Sequence, residues 1–238
     1  MFRPLALALL AAASAQAQIV TDRPDLTESA VSVDVGQIQI ESGVLAIDEG
    51  AATSVAGPSA LVRIGVVPGV EVRLALPDYL AIDPDGAGPT VDGFTDPSIG
   101  AKVELAMVSG WDLAAIAEVS LPLGDDVFSG AASPLALFIA GRDLGGLSLG
   151  TQGEVLWDRE ADRVDVGGTA VLGVPLTDAV GAFFEVAGGS SAAGASVLTQ
   201  IGSTLLLSPD VQLDAHVATG LTAAAPDLLG GVGLSARF

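Results

Sequence analysis

The sequence predicts an all-β fold, a transmembrane antiparallel up-and-down β-barrel of about twelve strands, from three observations: strict alternation of apolar residues, alternating connection lengths, and segregation of charge onto one strand face. Hydrophobic residues make up 50% of the chain and mean hydropathy is +0.60. Yet past residue 17 no unbroken apolar run reaches the ~18 residues a membrane helix requires. Every second residue is apolar instead, the period of a strand with two unlike faces.

The first such segment begins at Gln37, with Ile38, Ile40, Val44 and Ala46 against Gln37, Gln39 and Glu41. In the next two, Ala60, Val62, Ile64 and Val66 alternate with Arg63, and Val70, Val72, Leu74 and Leu76 with Glu71 and Arg73; Pro68-Gly69 joins them as a tight turn. Then come Ile99 to Met107 against Lys102 and Glu104, and Trp111 to Leu121 against Asp112 and Glu118. Further segments lie near 134–142, 147–157, 164–174, 180–187, 195–207, 211–219 and 229–238, and no helix is evident. Connections alternate long and short: 48–57, 68–69, 77–97, 109–110, 124–133, 143–146, 158–163, 175–178, 188–194, 208–210 and 220–228. Tight turns at one rim and longer loops at the other are the habit of an outer-membrane barrel.

A soluble β-sandwich or small lipocalin-like barrel shows the same alternation with its apolar face inward. Charge separates the two. No Asp, Glu, Lys or Arg falls on the apolar face of any segment, while the opposite face carries both signs: Glu41, Arg63, Glu71, Arg73, Lys102, Glu104, Glu118, Arg142, Glu154, Asp165, Glu185, Asp214 and Arg237. A closed wall of about twelve strands is too wide for side chains alone to fill, so its polar face lines a lumen and its apolar face meets lipid. Aromatics are only 4% of the chain, a sparse interfacial girdle; Trp111, Trp157 and Phe238 stand where one belongs.

Residues 1–17, MFRPLALALLAAASAQA, read as a signal peptide: one early cation, a short apolar run and an A-x-A cleavage signature. Residues 18–33 then form an N-terminal periplasmic or lumenal segment and residues 34–238 the barrel. The absence of cysteine excludes disulfides, thiolate metal sites and a lipidated N-terminal cysteine. A net charge of −20 argues against nucleic-acid partners.

Candidate chemistry is thin, and no catalytic residue, metal site or cofactor is assigned. His216, the single histidine, shares the polar face with Asp214 and with Ser235 on the next strand, the ingredients of a barrel-wall hydrolase, although a lumen-lining histidine is the simpler reading. Asp83-Pro84-Asp85-Gly86 starts like a calcium loop, but Phe94 stands where its closing Glu belongs. Tyr79, Phe94 and Phe128 fall in the long loops, and Phe138 and Phe183 fall on the lumen face, where rings suit small apolar or aromatic solutes. Predicted lumen-lining residues are therefore Glu41, Arg63, Glu71, Arg73, Lys102, Glu104, Phe138, Phe183 and His216.

Thr21-Asp22-Arg23-Pro24-Asp25-Leu26-Thr27-Glu28-Ser29, followed by Gly36-Gln37-Ile38-Gln39-Ile40-Glu41-Ser42-Gly43, resembles the start of the mature chain in the outer-membrane transporter family of the meta-pathway of phenol degradation. Gly231 to Phe238 is similar to that family's last strand, whose terminal Phe is recognised by the outer-membrane assembly machinery. The resemblance implies a porin-like barrel in the outer membrane of a Gram-negative bacterium, contacting lipid and passing small hydrophobic or aromatic molecules. On the residues themselves, Asp25 and Glu28 fit a capping pair, and Arg23 is placed to meet Asp22, Asp25 or an inward carboxylate such as Glu41. Asp22, Arg23, Asp25 and Glu28 thus define a candidate gating and anchoring segment at the barrel mouth. The expected function is passive uptake without covalent chemistry. The alternatives are a structural or adhesion-type barrel closed by ion pairs of Arg63, Arg73 and Lys102 with Glu71 and Glu104, and the His216 hydrolase.

Overall fold

The computed structural model describes residues 18–238 except Ala87 and Ala193, and for Ser191 the backbone alone; the expected signal peptide lies outside the described residues. Among the described residues fourteen strands are formed: β1 (Ile38–Asp48), β2 (Ala52–Val67), β3 (Val70–Ala75), β4 (Tyr79–Pro84), β5 (Val91–Phe94), β6 (Ser98–Val108), β7 (Trp111–Ser120), β8 (Pro134–Asp143), β9 (Ser148–Asp158), β10 (Arg163–Pro175), β11 (Val180–Ser191), β12 (Gly194–Ser208), β13 (Val211–Gly220) and β14 (Leu228–Arg237). Each pairs antiparallel with its neighbours, and β1 pairs with both β14 and β2, so the sheet closes on itself.

The closed barrel has twelve staves, because β3 and β4 both pair with β2 and make one broken stave, while β5 leads into β6 as the next. What reads as a long loop over 77–97 is therefore mostly wall, ending in a hairpin turn. Four prolines explain the break. The ladder between β2 and β3 stops at Leu61↔Ala75 and resumes on β4 at Gly57↔Tyr79. At this height four adjacent staves carry Pro58, Pro77, Pro97 and Pro122, none of which has an N–H to give. Local bonds stand in: Thr95 N–H donates to the Asp78 carbonyl at 2.8 Å, Asp78 N–H to Thr95 Oγ1 at 3.0 Å, and Leu121 N–H to the Pro97 carbonyl at 2.8 Å.

Outward residues such as Ile40, Val44, Val103, Val186, Ile201 and Val232 are exposed along a continuous apolar wall. Trp111 and Phe238 flank that wall at the short-turn rim, Trp157 at the long-loop rim. Tyr79 and Phe94, expected in loops, instead face each other across β4 and β5 with ring centroids 5.5 Å apart at 71°, and the Tyr79 hydroxyl bonds Asp92. They add two rings to Trp157 on the long-loop side. Phe128 does remain in the connection between β7 and β8.

One predicted face is reversed. Phe138, expected to line the lumen, is 64% exposed on the outer surface, and Arg142, two turns of the same alternation away, stands 5.8 Å over the Trp111 ring. The reason is an apolar patch inside the barrel. Leu137 and Ile139 of β8 pack with Ala114 and Ile116 of β7 and with Ala30 of the N-terminal segment, so on β8 the larger inward residues are the hydrophobic ones. Because successive strand residues alternate faces, seating Leu137 and Ile139 inside sends Phe138 out.

Candidate functional site: a segment threaded through the lumen

The interior polar face does not simply line water. Residues 18–33 form neither helix nor strand, so their backbone groups need partners from elsewhere. The inward side chains of the wall supply them. Glu41 of β1 accepts the N–H groups of Asp22 and Arg23 at 3.0 Å, and Glu185 of β11 accepts those of Leu26 and Thr27 at 2.8 Å and the Thr27 hydroxyl at 2.6 Å. Gln152 of β9 accepts the Glu28 N–H at 2.9 Å, and Glu71 of β3 accepts the Val33 N–H at 2.8 Å. Gln39, Gln200 and Gln212 donate to the Val20 carbonyl, the Pro24 carbonyl and the Thr21 hydroxyl. Partners so distributed around the ring place the segment inside it.

The segment begins and ends at the short-turn rim. Ile19 N–H donates to the Pro209 carbonyl in the β12–β13 turn at 2.7 Å, and Gly36 N–H to the Gly65 carbonyl near the β2–β3 turn at 2.9 Å. Between these, the chain rises to mid-barrel and returns.

Asp22 is its electrostatic anchor. Its carboxylate, 6% exposed, meets Arg73 at 2.6 Å, Lys102 at 2.8 Å and Arg63 at 3.2 Å, three cations from β3, β6 and β2. Glu71 braces the same cations, 2.8 Å from Arg63 and 3.0 Å from Arg73, and Glu41 lies 2.8 Å from Arg63. Glu28 adds a contact of 3.0 Å to Arg73. Burial alone would raise the Asp22 pKa, but Arg63, Lys102 and Arg73 outweigh it and hold the carboxyl well below its ordinary range. Glu28 moves the other way, raised by burial and by the Asp22 charge. Asp25, raised by burial and then by Glu185, has no cation beside it among the described residues.

Several expectations change accordingly. The turn is closed by Asp22, whose Oδ1 accepts the Ser29 N–H at 2.9 Å, rather than by an Asp25–Glu28 capping pair. The Arg23 guanidinium docks on Asp214 at 3.2 Å, while Glu41 takes its backbone N–H. Glu104 serves Ser32, at 2.7 Å to its N–H, instead of pairing with a wall cation among the described contacts. Phe183 faces the interior, close against Gly202. His216 does too, but the register sets Gln212 opposite Ser235 and Gly231 opposite His216. That offset of four residues is about 13 Å along a strand, so Ser235 and His216 make no nucleophile–base pair. Gln39 was placed on the polar face without a role, and sequence reasoning missed the buried amides Gln152, Gln200 and Gln212, whose signal was an amide set among mostly small or apolar neighbours.

A closed antiparallel wall with an apolar outer band, aromatic residues at both rims and a polar, charge-paired interior defines an outer-membrane β-barrel. Residues 21–238 match the profile of the family described as "Putative MetA-pathway of phenol degradation", and the chain belongs to that family. The fold is similar to the COG4313 outer membrane channel from Pseudomonas putida F1, with a TM-score of 0.67 and 12% identity over 88% of this chain and 98% of that one. It is also similar to the NanC porin, with a TM-score of 0.59 and 8% identity over 84% and 98% of the two chains, and to the KdgM porin in complex with disordered oligogalacturonate, with 0.58 and 8% over 85% and 99%. Among the curated proteins no sequence matches.

Proposed function

We propose that this chain is an outer-membrane channel for passive uptake of small molecules, with residues 18–33 as a non-covalent constriction whose position sets conductance. The observation that carries the reading is how the segment is held. It is held by hydrogen bonds and ion pairs to inward side chains and by one apolar contact of Ala30 with β7 and β8, it is tethered at the short-turn rim, and space remains on either side of it. A cavity of about 430 Å³ lies between Arg23 to Asp25 and the wall β9–β12, and one of about 260 Å³ lies above Leu26. Passage then needs a graded series of weak contacts rather than bond making, which is why no enzymatic step is invoked. Inward Phe183 supports small apolar or aromatic solutes as cargo.

In this reading the chain is exported through residues 1–17, the short-turn rim faces the periplasm, and the outward Phe238 engages the assembly machinery. Liposome swelling with neutral, anionic and aromatic solutes tests transport: solute-dependent swelling is expected, and none with any solute overturns it. Deleting residues 20–30 is expected to raise single-channel conductance severalfold in a planar bilayer; unchanged conductance would remove the constriction from the proposal. The buried network of Asp22 with Arg63, Arg73 and Lys102 favours one second reading, a barrel held shut as a structural element, and absence of flux in both wild type and deletion would select it.

A further inference from the structure

The cavity beside Arg23 and Asp25 opens at the short-turn rim, where Asp143 and Gly146 border it, and its walls are of two kinds. Val171, Pro175 and the Phe183 ring give it an apolar side, while Thr204, Arg23 and Asp25 give it polar groups. Among the polar groups Asp25 is the odd one. Arg23 directs its guanidinium to Asp214, with Nε at 3.4 Å and Nη2 at 3.2 Å, and Arg63, Arg73 and Lys102 are committed to Asp22, Glu41 and Glu71. Among the described residues only its own backbone N–H is directed at the Asp25 carboxyl, and the charges felt there from Glu185, Asp22 and Glu41 are all negative. With the wall's cations spent elsewhere, this half-buried carboxyl borders the cavity with its charge open to a donor or cation that enters.

We infer that this cavity is a solute-binding site for small organic ammonium compounds, the ammonium group pairing with Asp25 and an aromatic or bulky aliphatic body lying against Phe183, Val171 and Pro175. The inference rests on the channel reading and names a solute class for it. The size suits such a solute: ligand cavities run from about 300 to 1,000 Å³, and this one is about 430 Å³. Asp25 lies on the segment while Val171, Pro175 and Phe183 lie on the wall, so a molecule with an ammonium at one end and an apolar body at the other has a favoured orientation. The negative field about Asp25 discriminates against carboxylates of the same shape, the like-charge penalty that gives such sites their selectivity.

The test uses three isosteric probes, benzylamine, benzyl alcohol and benzoate, titrated into the full-length protein in detergent by calorimetry and added to a planar bilayer as blockers of ion current. Benzylamine is expected to bind at least about tenfold more tightly than benzyl alcohol, one such factor corresponding to a single favourable charge contact, and benzoate weakest. Asp25→Asn is expected to remove the preference for the amine while leaving benzyl alcohol within about twofold; Phe183→Ala is expected to weaken amine and alcohol alike. Equal affinity for amine and alcohol in the wild type, or an Asp25→Asn variant that keeps the preference, overturns the inference. Swelling by neutral solutes, measured on the same preparations, tells that outcome apart from failure of the channel reading: flux without amine preference leaves a channel with no such site.

Discussion

At the scale of single residues, Asp22 concentrates the site. One carboxylate neutralises cations from three staves and closes its own turn through Ser29, so it ties the segment's shape to its docking. Removing one partner of a buried charge network typically costs about 3–5 kcal/mol because the others remain desolvated. Asp22→Asn is therefore expected to release the segment, with conductance rising toward that of the 20–30 deletion and amide exchange accelerating at Leu26, Thr27 and Glu28. The neighbouring acids set the pH response. The Asp22 pKa is depressed, so its stabilisation is present above the ordinary carboxylate range and is lost only as pH falls below it. The pKa values of Asp25 and Glu28 are raised, so their ionisation opposes docking above that range, and docking strengthens as they take up protons on the way down from neutral. Conductance is accordingly expected to fall between about pH 7 and pH 5, and the double variant Asp25→Asn, Glu28→Gln to flatten that dependence. A wild-type conductance that rises over the same interval contradicts the assignment.

At the scale of elements, the proline belt has its own bracket. Where the ladder is interrupted, Asp96 gathers the connection between β7 and β8: it accepts the N–H groups of Leu123 at 3.0 Å, Gly124 at 2.9 Å and Gly130 at 3.3 Å, and the Ser129 hydroxyl at 2.7 Å. Asp96→Ala is expected to speed hydrogen exchange at Leu123, Gly124 and Gly130 by an order of magnitude or so while the amides of β9 to β13 keep their protection, since each lost bond is worth roughly 1 kcal/mol. Uniform loss of protection around the wall would mean that the bracket instead holds the barrel closed. Elements also show what alternation encodes. All twelve segments between Gln37 and Phe238 became wall because hydrophobicity of period two reports which face meets lipid. The extra β4–β5 hairpin was obscured by Pro77, Pro97 and the turn residues around Asp83 to Gly86, which interrupt the period that marks a strand. The face of β8 was unreadable for another reason. Leu137 and Ile139 are buried against Ala30, a contact with a segment far away in sequence, and periodicity carries nothing about what fills the lumen.

At the scale of the molecule, the acids of TDRPDLTESA and the isolated inward polar residues are two halves of one structure. Each looked unexplained alone in the sequence; together they exchange hydrogen bonds that neither an irregular chain nor a barrel wall can satisfy internally. This arrangement also sets the sign of the interior. Asp22, Asp25 and Glu28 outnumber Arg23 within the segment, and Glu104, Glu118, Glu154, Glu185 and Asp214 face inward with few cations beyond Arg63, Arg73 and Lys102 to balance them. Acidic loops over the long-loop rim, with Asp125, Asp126, Glu160 and Asp162, extend the same sign outward. A channel lined by excess fixed negative charge concentrates cations and excludes anions, the more so at low ionic strength where screening lengths reach about 30 Å. In a potassium chloride gradient the wild-type reversal potential is therefore expected to show preference for potassium, stronger at 10 mM than at 1 M salt. Deleting residues 20–30 removes more negative than positive charge and exposes Arg63, Arg73 and Lys102 to solvent, so the preference is expected to weaken even as conductance rises. If the deletion instead sharpened cation preference, the segment's charge would be contributing nothing to permeation, and the electrostatic role of Asp22 and its neighbours would be confined to holding the segment in place.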